Sequence, residues 1–184
     1  IVYIGRLVET KGVQYLIQAL SKLKAVRQDW ICWIVGDGEM KKELQLLAKS
    51  SKLENDVYFL GSQDDIPSIL SKSDIFVLPS LIENQPLSLI EAQLSAKPAI
   101  VSNAGGLPEM VIPEVTGLLF EPKDSEGLFN NLNRLLTDEI LARKLGDNSK
   151  KWGMTHWSFE NGIRKLLQIY QEAIEMKKMG EDRL

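Results

Sequence analysis

The sequence is poor in the residues that most small-site chemistries need. One cysteine and one histidine stand among 184 residues, too few for zinc or the heavier transition metals, which want several such ligands at defined spacing. A lone cysteine also gives no disulfide framework and hence no sign of an oxidising compartment. Long hydrophobic runs are missing: the longest uninterrupted one, Trp30 to Val35, has six residues, whereas a membrane span needs roughly 18. No signal-peptide pattern precedes it. Charge of one sign is lacking too, since 22 lysines and arginines against 25 acids leave a net charge of −3. That balance argues against nucleic acid or an anionic membrane as the main partner. The chain therefore reads as cytoplasmic. What is present, 44% hydrophobic and 26% charged residues, is the composition of one globular domain over residues 1–184 with a core of its own. The chain opens without methionine, directly in the apolar run Ile1 to Ile4, and we expect it to be a piece of a longer protein.

Short apolar runs recur at Ile1 to Ile4, Trp30 to Val35, Val57 to Leu60, Ile75 to Leu78, Ala99 to Val101 and Leu118 to Phe120. Runs apolar at every position predict strands buried on both faces. Helical spacing follows them, as in Val13, Leu16, Ile17, Leu20 and Leu23 after the first, where 3-and-4 steps gather one apolar face. The alternation predicts an α/β domain, a Rossmann-like doubly wound parallel sheet of about six strands. After Phe120 the spacing predicts helices near Asp124 to Leu136, Asp138 to Trp152 and Phe159 to Lys178, the first N-capped by Asp124.

The ends of the strands carry the chemistry. Three of the first four run into a glycine (Gly5, Gly36, Gly61) and the fourth into Pro79, and ligands of open α/β sheets bind beyond the carboxyl ends of the strands. Gly5 to Gly12 holds Arg6 and Lys11 at a helix start, where free N–H groups and the helix dipole already favour an anion. Arginine's planar fork and lysine's point charge suit a diphosphate. Gly36-Asp37-Gly38 is only part of a dinucleotide fingerprint, because Lys41 stands where the third glycine belongs. The densest segment is Pro79 to Ala92, with Glu83 in a loop and Glu91 about one turn into a helix that begins near Leu87. Carboxylates accept paired hydrogen bonds from adjacent hydroxyls, as in ribose recognition. Two of them flanking free helix amides could hold a sugar on either side of a diphosphate. In Asn103 to Glu109 the paired glycines Gly105 and Gly106 allow close backbone approach, and Pro108 suits the first turn of a short helix. His156, far downstream of these segments, and Cys32, in mid-strand, read as structural residues, and Trp30, Trp33, Trp152 and Trp157 as packing.

Taken in order, Gly5-Arg6-Leu7 with Lys11-Gly12, Gly36-Asp37-Gly38, Val77 to Ser80, the Glu83 and Glu91 pair, Lys97-Pro98, Gly105 to Glu109 and Thr116 to Leu119 resemble one family. It is the C-terminal, donor-binding domain of the retaining GT-B glycosyltransferases, the glycosyl transferases group 1, and the resemblance covers residues 1 to about 121. It implies one half of a GT-B fold in an enzyme that moves a hexose from a nucleotide diphosphate sugar to an acceptor hydroxyl with retention, in glycan or surface polysaccharide assembly. The catalytic roles it implies fall on Arg6 and Lys11 at the diphosphate and Glu83 near the reacting sugar carbon. Donor contacts would come from Gly5, Gly36, Gly61, Ser62, Asn84, Gln85, Pro86, Leu87 and Glu91, with Glu91 on the ribose and Gly61 and Ser62 at the base.

The resemblance implies no metal and no other cofactor, the UDP-, GDP- or ADP-linked sugar being substrate. It also implies an acceptor glycan or lipid-linked sugar, and any membrane association, through an absent N-terminal domain toward which residues 158–184 would cross. The chain alone would then bind donor without transfer. A non-catalytic nucleotide-sugar module and a nucleotide-sugar epimerase of the same fold are the alternatives. Two departures stand out: Asn84-Gln85-Pro86 replaces the frequent Gly-Phe-Gly, removing a backbone donor at Pro86, and Ala96 replaces a helix-ending glycine.

Overall fold

A computed structural model describes residues 1–181. Six strands, β1 (Val2–Ile4), β2 (Cys32–Val35), β3 (Val57–Gly61), β4 (Phe76–Leu78), β5 (Ala99–Ser102) and β6 (Gly117–Phe120), form one sheet in the order β3-β2-β1-β4-β5-β6. Every pairing is parallel. The order reverses between β1 and β4, and the crevice above such a reversal is where this architecture takes ligands.

The helices are α1 (Val13–Val26), α2 (Lys41–Ser50), α3 (Ile66–Ser71), α4 (Leu87–Leu94), α5 (Leu107–Met110), α6 (Ser125–Thr137), α7 (Glu139–His156) and α8 (Phe159–Glu181). Helix α1 packs beside α2 and α6, and α4 beside α3 and α7. Between them the core is filled by β1, β4 and β5, whose residues are buried throughout, together with Leu16, Ile17, Leu20, Leu89, Leu128, Leu132 and Leu145. Asp124 caps α6 through the amides of Glu126 and Gly127, and Pro108 stands in the first turn of α5.

One strand departs from the sequence pattern. The run Val57 to Leu60 is apolar throughout, yet Tyr58 and Leu60 are exposed, because β3 is the edge of the sheet and α3, at six residues, covers little of it. A continuous apolar run fixes strand type but not strand rank.

A buried amide ties the start of α8 to the site-bearing layer. Gln93, fully buried in α4, accepts from Trp157 Nε1 at 2.7 Å and donates to the Met110 carbonyl at 2.7 Å. Both ends of the amide are thereby satisfied, as burial demands. Further along α8, Ile163, Leu166, Leu167, Ile169, Tyr170 and Ile174 are exposed. The last three residues of the expected 158–184 helix lie outside the described residues.

Two left-handed backbone positions make opposite predictions. Gly105 has φ 55°, and a Cβ there would overlap the carbonyl oxygen of Glu83. Ala96, ending the α4 segment, has φ 56° and carries its Cβ in that conformation. Gly105→Ala adds backbone strain to a steric clash, and urea unfolding should show a loss of about 2–4 kcal/mol. Ala96→Gly removes strain of about 1–2 kcal/mol against about 0.4–1 kcal/mol of added freedom in the unfolded chain, and should raise stability by up to about 1 kcal/mol in the same measurement.

Candidate functional site

The sheet reversal places the loops after β1 and β4 side by side. Leu81 N–H donates to the Thr10 carbonyl at 2.7 Å, so the two loops are joined by backbone before any side chain is considered. Across that seam the Lys11 ammonium forms an ion pair with Glu83 Oε2, the two side chains being only 16% and 12% exposed. Ser80, fully buried, donates to the same Oε2 at 3.3 Å. The Ser80 carbonyl in turn accepts from Ser102 Oγ of β5. Glu83 Oε1 has no hydrogen-bond partner among the described residues.

The Glu83 loop is also clamped from its other side. Gly106 N–H donates to the Glu83 carbonyl at 2.9 Å, and a Cβ on Gly106 would overlap the Asn84 carbonyl. The sequence marks these glycines as positions of close backbone approach. In the structure the approaching group is the neighbouring loop, and the effect is to fix the segment carrying Glu83.

Gly36 has the same explanation. Its φ is 127°, a Cβ would overlap the Gly5 carbonyl, and its N–H donates to the Gly61 carbonyl at 2.8 Å. Gly5, Gly36 and Gly61 therefore stand in a row at the carboxyl ends of β1, β2 and β3. Ser62 beyond them is exposed, and Asp37 beside them pairs with Lys41 one helical turn on.

Arg6 is exposed and its guanidinium has no hydrogen bond among the described residues. Its backbone is anchored from below: Tyr3, fully buried in β1, donates its hydroxyl to the Arg6 carbonyl at 2.8 Å. Burial raises the Tyr3 hydroxyl above its ordinary pKa, the Glu83 charge adds to that, and Arg6 opposes it. Tyr3 thus stays a neutral donor through the physiological range. Sequence reasoning missed Tyr3 and gave Ser80 no role. The available signal was a single hydroxyl-bearing ring in an otherwise aliphatic strand.

Helix α4 starts at Leu87 with Pro86 as its N-cap, and no side chain caps it. Its first amides are thus open to an outside acceptor. Asn84, Gln85 and Leu87 around this end are exposed. Glu91 lies one turn further along α4, exposed, with no hydrogen-bond or ion-pair partner among the described residues. Partial desolvation by its surroundings raises its carboxyl above the usual range. The structure brings Lys11 and Glu83 into contact and anchors Arg6 on the same strand end. It leaves Glu91 apart from that pair, at the other side of the helix start.

The residues read as structural behave so. His156 stacks on Trp152 with ring centroids 4.1 Å apart, and Cys32 is fully buried, which pushes its thiol up to about 12. Among the described residues no group of three or more His, Cys, Asp or Glu side chains could hold a metal ion. None of the described helices is long and apolar enough to cross a membrane.

The family model described as Glycosyl transferases group 1 matches residues 1–152. Among curated proteins, the Escherichia coli UDP-Gal:alpha-D-GlcNAc-diphosphoundecaprenol alpha-1,3-galactosyltransferase is 38% identical over 177 residues, covering 95% of this chain and 46% of that protein. Among solved structures, Anabaena HepE in complex with UDP-glucose superposes with a TM-score of 0.80 at 28% identity, covering 97% of this chain and 48% of that one. The C-terminal domain of a Francisella tularensis group 1 glycosyl transferase superposes with a TM-score of 0.78 at 29% identity, covering 86% of this chain and 85% of that one. The chain spans about half the length of the curated relatives it matches, 45% to 47% of each. With the parallel six-stranded sheet, the reversal at β1 and β4 and the family match in agreement, the chain belongs to the group 1 glycosyltransferases and has the Rossmann-like fold of a GT-B half.

Proposed function

We propose that this chain is the C-terminal, donor-binding half of a retaining glycosyltransferase, and that it holds a nucleotide diphosphate sugar over the reversal between β1 and β4. The observation that carries the reading is that Arg6, the Lys11 and Glu83 pair and the uncapped start of α4 stand on the two joined loops beyond β1 and β4. Arg6, Lys11 and the first amides of α4 would receive the diphosphate, and Glu91 would accept from the ribose hydroxyls. Glu83 would face the donor sugar, with Oε1 open to a hydroxyl. Gly61 and Ser62, at the end of β3, would lie at the base. That HepE was solved with UDP-glucose supports a nucleotide-sugar donor.

The same groups suit the chemistry. Transfer passes through an oxocarbenium-like state in which negative charge grows on the departing diphosphate. Fixed cations and helix amides aimed at that charge lower the barrier without any metal. Glu83 binds and orients the sugar beside the reacting carbon. Transfer to an acceptor glycan or lipid-linked sugar requires a second domain across the cleft, and the alpha linkage named for the E. coli relative accords with retention. By itself the chain binds donor and does not transfer; hexose transfer by the isolated chain would overturn that division of labour.

The donor reading predicts stabilisation by at least one of UDP, GDP and ADP. At a ligand concentration 100 times Kd the gain is about 2.7 kcal/mol, readable as a rise in thermal midpoint. Arg6→Ala should weaken that nucleotide about tenfold or more, since a charge-assisted contact is worth roughly 1.5–3 kcal/mol. No shift with any of the three would remove the basis for the site.

Glu91 carries a separate prediction. Glu91→Gln should weaken the ribonucleotide by about 1–2 kcal/mol while hardly changing the 2′,3′-dideoxy analogue, as measured by calorimetry. Equal losses for both would take Glu91 off the ribose.

A further inference from the structure

In the ligand-free site Lys11 is already engaged, and its partner is the carboxylate that the donor reading turns toward the sugar. We infer that this shared lysine makes the site discriminate against the bare nucleoside diphosphate in favour of the intact nucleotide sugar, so that spent product is released more readily than donor. The inference rests on the donor-binding reading above and concerns what Glu83 does to the charge balance of that site.

The argument is one of compensation. A diphosphate that enters must draw Lys11 away from Glu83 or share it. Glu83 cannot simply swing aside. Its loop is fixed through the Gly106 amide on the Glu83 carbonyl, and Ser80, itself held through its carbonyl by Ser102, remains on Oε2. The carboxylate is therefore left largely buried with one of its two partners reduced, which is unfavourable unless something replaces it.

An intact nucleotide sugar supplies the replacement. Its hexose presents hydroxyl donors, and Oε1 has no partner to displace. The bare diphosphate supplies none. It also ends in a free terminal phosphate whose last ionisation lies near pH 6, so at neutral pH it brings close to one further negative charge to the side of the site where Glu83 stands. Arg6 and Lys11 attract that charge, Lys11 only as far as it leaves Glu83. Two like charges about 6 Å apart change affinity by between about threefold in water and a hundredfold at an effective dielectric of 20.

Calorimetric titration of the whole chain tests this with UDP and UDP-glucose, GDP and GDP-mannose, and ADP and ADP-glucose, taking forward whichever pair binds. In Glu83→Gln the bare diphosphate should bind about five- to tenfold tighter than in the unaltered chain. The sugar nucleotide should bind equally or more weakly, so the preference for donor over product falls about tenfold or more. A preference unchanged in that variant, or a weaker diphosphate, overturns the inference.

A second measurement needs no substitution. The methyl ester of the terminal phosphate removes the extra charge without supplying a sugar, and in the unaltered chain it should bind about fivefold tighter than the free diphosphate. Equal or weaker binding of the ester overturns the inference. Absence of all nucleotide binding overturns the donor reading itself, whereas binding with unaltered ratios overturns only this step.

Discussion

Backbone lying against backbone at the carboxyl edge of the sheet is the constraint from which the rest of the structure follows. Parallel strands deliver every loop of one kind to the same edge, and at the reversal between β1 and β4 neighbouring loops meet with no side chain between them. The Leu81 amide bonds the Thr10 carbonyl, and the Gly106 amide bonds the Glu83 carbonyl. Gly105 and Gly106 leave no room for a Cβ against the Glu83 and Asn84 carbonyls. The segment with Glu83 is consequently gripped on both sides, and the half-buried pair with Lys11 is a product of that grip. A surface ion pair held only by two flexible side chains would contribute little; this one is fixed by the peptide groups beneath it.

The same constraint explains which parts of the structure are legible in the sequence. Strand positions are legible because β1, β2 and β4 are short, wholly apolar and followed by glycine or proline, and the pattern misleads where rank in the sheet matters, at exposed Tyr58 and Leu60 on the β3 edge. The motif glycines are legible as positions of close approach. What approaches them is a three-dimensional fact: the Gly5 carbonyl for Gly36 and the Glu83 carbonyl for Gly105. Arg6, Lys11, Glu83 and Glu91 could be picked out by residue type and local setting. That Lys11 would spend its charge on Glu83, 72 residues away, could not, because helix and strand periodicity carry no information about which loops the sheet order makes adjacent.

Tyr3 and Gln93 were hidden for a different reason. Both sit at positions where the pattern calls for an apolar residue, and both are fully buried. Their polar atoms are paired with backbone or with a distant indole, Tyr3 to the Arg6 carbonyl and Gln93 between Met110 and Trp157. Local patterning sees such residues as core and nothing more. Their hydrogen bonds, each satisfied at 2.7–2.8 Å, carry the specificity: Tyr3 sets the height of the Arg6 loop, and Gln93 sets α4 against the start of α8.

The groups at this edge then divide by how they are held. Glu83 and the backbone of Arg6 are locked by buried hydrogen bonds or tight sterics, while the Arg6 guanidinium and the Glu91 carboxylate have no partner among the described residues. Locked groups lose little freedom when a ligand arrives, and open ones contribute only once a ligand orders them. In the proposed donor mode the rigid part would face the sugar, and the adaptable Arg6 guanidinium and Glu91 carboxylate would close on the diphosphate and the ribose. The rigid part is also where mutual charge matters most, because side chains there are only 16% and 12% exposed and screening by water is weak. A carboxylate in that position competes for the charge of Lys11 with any anion that approaches it. It is consistent with a site whose ligand is an anion joined to something that can satisfy the carboxylate, and a hexose linked to a diphosphate has both.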